Sequence, residues 1–158
     1  MTTLRSDLIK NMKKVTGYNS RQVSVSMKRS SIRFTIRDGN VSLKTLKEFA
    51  ETYEKIDRCP VSNEVLQGGN TFVFITYSEK VKQVFVSTYE KAVKTAIEEL
   101  KTLKEHQLAD IKGTNCCIGT AFNGCDFILY SDSFSSRQFS SIDSICVHIA
   151  EKKSYQAA

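Results

Sequence analysis

The feature that most restricts the fold of this chain is one long apolar stripe. From Ser78 onward, Val81, Val84, Phe85, Thr88, Tyr89, Ala92, Val93, Ala96, Ile97, Leu100 and Leu103 recur at i, i+3, i+4 spacing. Residues three and four apart share a helix face, so the stripe predicts an amphipathic α-helix of about seven turns. The opposite face carries Lys80, Lys82, Lys91, Lys94 and Lys101 against Glu90, Glu98 and Glu99, the mixture of a solvated surface. Such a helix must bury its stripe against a sheet or against other helices. The 158 residues suffice for that without disulfides or metals.

The remaining segments supply strands and shorter helices. Leu4, Leu8, Ile9, Met12 and Val15 predict a first amphipathic helix, with Gly17 as its C-terminal cap. Val23, Val25 and Met27 alternate with serines, and Ile32, Phe34 and Ile36 alternate with Arg33 and Arg37. Both runs have period two and predict a hairpin with one polar, basic face. Ser42 caps a second helix through Leu43, Leu46, Phe49, Ala50 and Tyr53. A loop follows that ends at Gly68-Gly69-Asn70, where paired glycines permit the positive φ of a tight turn. Thr71 to Tyr77 is β-branched and aromatic throughout, which predicts a central strand. After the long helix, Cys116–Phe122 and Cys125–Tyr130 flank Asn123-Gly124, a type I′ hairpin signal. Ser131 to Ser144 is serine-rich and reads as a surface loop. At the C-terminal end, Ile142, Ile145, Cys146 and Ile149 fit a helix better than a strand. The order α-ββ-α-β-α-ββ-α predicts an α+β fold, with a mostly antiparallel sheet of about five strands packed by three to four helices. No repeat and no Pro/Gly linker divides the chain, so residues 1–158 read as a single domain.

Charge is unevenly placed. The net charge is +6. From Met1 to Arg37 there are nine basic residues (Arg5, Lys10, Lys13, Lys14, Arg21, Lys28, Arg29, Arg33 and Arg37) against Asp7 alone, a local charge of +8 that leaves −2 for the rest. A basic helix and a basic strand face suit phosphates or an acidic protein surface. The aromatic interleaving of single-strand readers is missing from this stretch. Candidate contact residues are Lys13, Lys14, Lys28, Arg29, Arg33 and Arg37. A second candidate is the serine-rich loop with Phe134, Arg137 and Phe139, because aromatics and arginine are enriched at interface hot spots. The alternative is that both phenylalanines anchor that loop to the core.

Catalytic patterns are sparse. The chain lacks G-x-x-x-x-G-K, G-x-S-x-G, H-E-x-x-H and D-x-D-x-D. A Cys117/His148 dyad, a polar group of Asp57, Arg58 and Glu64, and a zinc site from Cys116 or Cys117, Cys125 and His148 are the candidates that remain. Cys117 lies in an apolar strand pattern, and the zinc spacing matches no established motif, so small core cysteines are the simpler reading. The balance points to a protein that is not an enzyme and needs no cofactor or metal. Five cysteines, an odd number, suggest reduced thiols in a cytoplasm. Met1 to Thr16 has spaced charges and no apolar core of a signal peptide. No apolar run approaches the roughly 18 residues of a membrane-spanning helix, so no membrane partner is expected.

Four stretches together carry a resemblance. Ser31 to Arg37 (SIRFTIR), Thr45 to Ala50 (TLKEFA), Tyr53 to Asp57 (YEKID) and Glu64 to Phe74 (EVLQGGNTFVF) resemble the large polyvalent protein-associated domains of phages and conjugative elements. The similarity covers about residues 20–77. It implies a mobile-element origin, a place in the host cell cytoplasm and a role against host defence. In size and lysine-rich composition the chain also looks like anti-CRISPR proteins of staphylococcal mobile elements, which act on a type II-A Cas9. That resemblance implies a stoichiometric inhibitor of a host defence nuclease. A net positive chain is a poor DNA mimic, so the expected mode is contact with a nuclease domain such as HNH, blocking cleavage after DNA is bound. The alternative is a basic nucleic-acid-binding accessory protein of a phage or conjugative element.

Overall fold

The computed structural model describes residues 5–66, 68–103, 107–121, 126–131 and 135–156. Along the chain run α1 (Arg5–Thr16), β1 (Val23–Lys28), β2 (Ser31–Ile36), α2 (Leu43–Glu51), β3 (Phe72–Tyr77), α3 (Glu79–Thr102), β4 (Ala109–Ile111), β5 (Cys116–Thr120), β6 (Phe127–Ser131), β7 (Ser135–Phe139) and α4 (Ile142–Gln156). The fold is α+β, as the sequence predicts. Its strands form two sheets, ordered β1-β2-β3 and β4-β5-β6-β7, rather than one sheet of about five. The chain divides into two compact units, Met1–Val81 with Ser154–Ala158, and Lys82–Lys153.

In the first unit β1 and β2 form the expected antiparallel hairpin, with Lys28 opposite Ser31 at its tip. The chain crosses over through α2 and returns as β3, parallel to β2. This makes β2 the central strand and β3 an edge, which corrects the reading of Thr71 to Tyr77 as central. The helices are set as their caps dictate. Gly17, at φ 77, closes α1 by donating its N–H to the Lys13 carbonyl. Ser42 accepts from the Thr45 N–H at 3.3 Å and so satisfies a free donor at the start of α2. Leu8 and Met12 of α1, and Leu46, Phe49 and Ala50 of α2, are buried with Val23, Val25, Ile32, Phe34 and Ile36 of the sheet. The Phe49 ring meets Phe34 edge-on at 6.1 Å. Both helices therefore cover one sheet face, the one bearing the even-numbered residues of β2.

In the second unit the sheet is antiparallel throughout. β5 pairs with β6 as predicted, and the Asn123-Gly124 turn lies outside the described residues. Two strands were not anticipated. β4 has only three residues, too short for period two to register. β7 falls in the serine-rich segment, whose residues pair by backbone hydrogen bonds that carry no trace in side-chain polarity. The stripe of α3 meets the sheet through Val93 and Ala96, and α4 through Ile145, Cys146 and Ile149. Val84, expected in that stripe, is exposed. No helix among the described residues is long and apolar enough to cross a membrane.

Candidate nucleic-acid interface

Covering one face of the three-stranded sheet leaves the other face open. Register fixes what stands there, because residues paired across strands point to the same side. Three rows result. Lys28, Ser31 and Phe72 form the first, Ser26, Arg33 and Phe74 the second, and Ser24, Thr35 and Thr76 the third. Arg37 continues β2 beyond the last row, its N–H bonded to the Gln22 carbonyl. None of these positions is acidic. Phe74 is 45% exposed, an unusual position for a phenylalanine among hydroxyl and guanidinium groups. The Arg33 guanidinium lies 5.9 Å from the centre of its ring. The Thr35 and Thr76 hydroxyls approach to 3.5 Å across the strands.

The predicted basic residues thus separate into two groups. Lys28, Arg33 and Arg37 belong to the open face, and Arg29 sits at the hairpin tip with φ 51. Lys13 and Lys14 lie in the last turn of α1, in the layer that covers the opposite face, and do not join them. Phe72 and Phe74 were missed by sequence reasoning, and they supply the aromatic component that the basic stretch lacks. Arg33 and Phe74 are far apart in sequence and become neighbours only through the parallel pairing of β2 with β3. One signal was present: Phe72 and Phe74 share their period-two phase with polar Thr76, whereas Val73, Ile75 and Tyr77 form the apolar phase.

In the second unit, Phe139 is buried in the core cluster, so it anchors β7 instead of offering a contact. Arg137 is exposed, with its guanidinium 5.6 Å from the Phe139 ring centre. Phe134 lies outside the described residues.

The remaining chemical candidates engage separate partners. Cys117 faces Asp110 on β4, with Sγ 3.0 Å from the carboxylate. That hydrogen bond, followed by burial, pushes the Cys117 thiol up to about 11, which keeps it protonated and weakly nucleophilic at neutral pH. His148 packs against the Phe139 ring at 5.2 Å, with Nδ1 3.6 Å from Glu151. In the loop before β3, Asp57 pairs with Lys55 at 3.5 Å, Arg58 donates to the Asn63 carbonyl and Glu64 accepts from Ser62. Cys125, one arm of the zinc candidate, lies outside the described residues. Among the described residues no three His, Cys, Asp or Glu groups are gathered to hold a metal ion.

The same loop forms an arm. Isolated bridges join Lys55 to Thr71 and Arg58 to Val65. Asn70 clips its base, accepting from the Asp57 N–H at 2.7 Å and donating to the Leu66 carbonyl at 2.6 Å. Gly68 and Gly69, at φ 89 and 73, make the turn that the sequence predicts. The arm exposes Val61, Val65 and Leu66. Hydrogen bonds from Ser62, and from the backbone of Ser62 and Val61, lower the Cys59 thiol to about 7.

No family model, no curated protein and no solved structure matches this chain.

Proposed function

We propose that this protein binds nucleic acid through the open face of its three-stranded sheet, stoichiometrically and without turnover. The observation that carries the reading is the alignment of Lys28, Arg33 and Arg37 on one solvated face whose strand positions carry no acidic residue. The Glu54 carboxylate stands at the β3 edge, where it accepts from the Val73 N–H at 3.4 Å. Such a face attracts a phosphate backbone and releases its condensed counterions. The hydroxyls of Ser24, Ser26, Ser31, Thr35 and Thr76 add neutral hydrogen-bonding groups suited to phosphate and sugar. The test is a binding titration across salt concentration. A steep loss of affinity with rising salt supports the reading, and absence of binding at low salt ends it.

A second reading, inhibition of a CRISPR nuclease such as Cas9 by contact with its HNH domain, has a different support. The resemblance of residues 20–77 to polyvalent protein-associated domains suggests it, and the exposed Val61, Val65 and Leu66 of the arm favour a protein partner. In this reading DNA loading of Cas9 survives while cleavage stops. A mobility-shift assay in which the protein abolishes DNA loading contradicts that mode.

A further inference from the structure

We infer that the ligand of the open face is single-stranded nucleic acid, with bases laid on Phe72 and Phe74. The inference rests on the nucleic-acid reading above and narrows its substrate class. Phosphate attraction alone needs no aromatic group, yet Phe74 is held 45% exposed between Arg33 and Thr76. Apart from Phe72, the positions that share that face are serine, threonine, lysine and arginine, so no apolar core accounts for the ring.

Stacking on an aromatic ring is available to any base once it leaves its helix, and tolerates every sequence. Phe72 and Phe74 are two residues apart on one strand, roughly 6.6 Å along it. That spacing offers one ring to each of two successive unstacked bases, as open sheets with aromatic side chains do in RNA recognition. Arg33 stands one strand away from the Phe74 ring, and Lys28 two strands away from Phe72 across Ser31, on the side where a backbone running beside the bases places its phosphates. A duplex fits poorly. Its bases are already stacked, and its major groove admits a helix or a two-stranded ribbon rather than the face of a wider sheet.

The chain contains no tryptophan, so Phe74→Trp creates a single emitter on the face. Fluorescently labelled oligo(dT), oligo(U) and a mixed-sequence duplex of equal length are titrated at low salt. Tighter binding of either single strand than of duplex, with quenching of Trp emission by the single strand, supports the inference. Phe74→Leu keeps apolar bulk at an exposed position and removes the ring. It should weaken single-strand binding roughly 5- to 100-fold and leave duplex binding unchanged. A thermal melt matching the parent chain excludes misfolding. Equal, salt-sensitive binding of all three ligands, with Phe74→Leu indistinguishable from the parent, overturns the stacking and keeps the phosphate reading. Absence of binding to any ligand at low salt removes both.

Discussion

Three thiols in this chain differ by their surroundings alone. Cys59 is lowered to about 7 by hydrogen bonds from Ser62 and Val61, which favour the thiolate. Cys146 is raised to about 11, first by burial and then by the nearby Asp143 and Glu90 carboxylates, and Cys117 also reaches about 11. The thiolate is the reactive form. Iodoacetamide at neutral pH should therefore label Cys59 ahead of Cys117 and Cys146, with a rate that rises as pH passes about 7. Peptide mapping by mass spectrometry reads this, and equal labelling of the three would show the assignment to be wrong. Backbone geometry marks a second position. Arg29 sits at φ 51 in the hairpin tip, where an L side chain costs about 1–2 kcal/mol. Arg29→Gly relieves that cost and gives back about 0.4–1 kcal/mol through a freer unfolded chain. A net gain of about 0.5 kcal/mol is expected, measured as a higher denaturant midpoint with unchanged slope.

The β1-β2 hairpin and α2 were readable because one physical rule governed each residue. Val23, Val25, Ile32, Phe34 and Ile36 alternate with polar neighbours, and all five are buried. Phe34 is fully buried and touches Phe49, so Phe34→Ala should cost about 3–5 kcal/mol, visible in chemical denaturation. β3 misled because a run of β-branched and aromatic residues looks the same whether it lies at the centre or at the edge of a sheet. Its edge position follows from the crossover, a long-range event. β7 was missed for the opposite reason. Serines satisfy their backbone in a strand as well as in a loop, so composition was uninformative. The arm before β3 is held by its backbone bridges and by the side-chain clip of Asn70. Asn70→Ala removes the bonds to Asp57 and Leu66 and should cost about 1 kcal/mol locally. Hydrogen exchange of the Leu66 amide, bonded to the Asp57 carbonyl, should accelerate while the core of the unit stays protected.

Across the whole molecule, charge is the property with the widest reach. The +8 concentrated before Asp38 was visible at once in the sequence, but the fold divides it between the helix layer and the open sheet face. Three cations on that face predict a slope of log affinity against log salt near −2 for a single strand. Arg33→Gln should reduce its magnitude by about 0.7, and the double change Lys13→Gln, Lys14→Gln should leave it unaltered. An equal effect from the helix pair would mean that diffuse charge, not the sheet face, does the binding.

The sequence by itself determined the elements governed by local rules. These are the caps at Gly17 and Ser42, the Gly68-Gly69 turn, the long amphipathic helix and the alternating hairpin. Each depends on spacing within a few residues, where chain geometry leaves little choice. The tertiary structure alone decided that the strands among the described residues form two sheets and that β3 runs parallel at an edge. It also decided that Phe74 stands beside Arg33 and that Phe72 shares a row with Lys28. Those outcomes depend on which strands pair and in what register. Alternation says which face each strand buries, but which strand pairs with β2 across the crossover is a long-range outcome that no local spacing records.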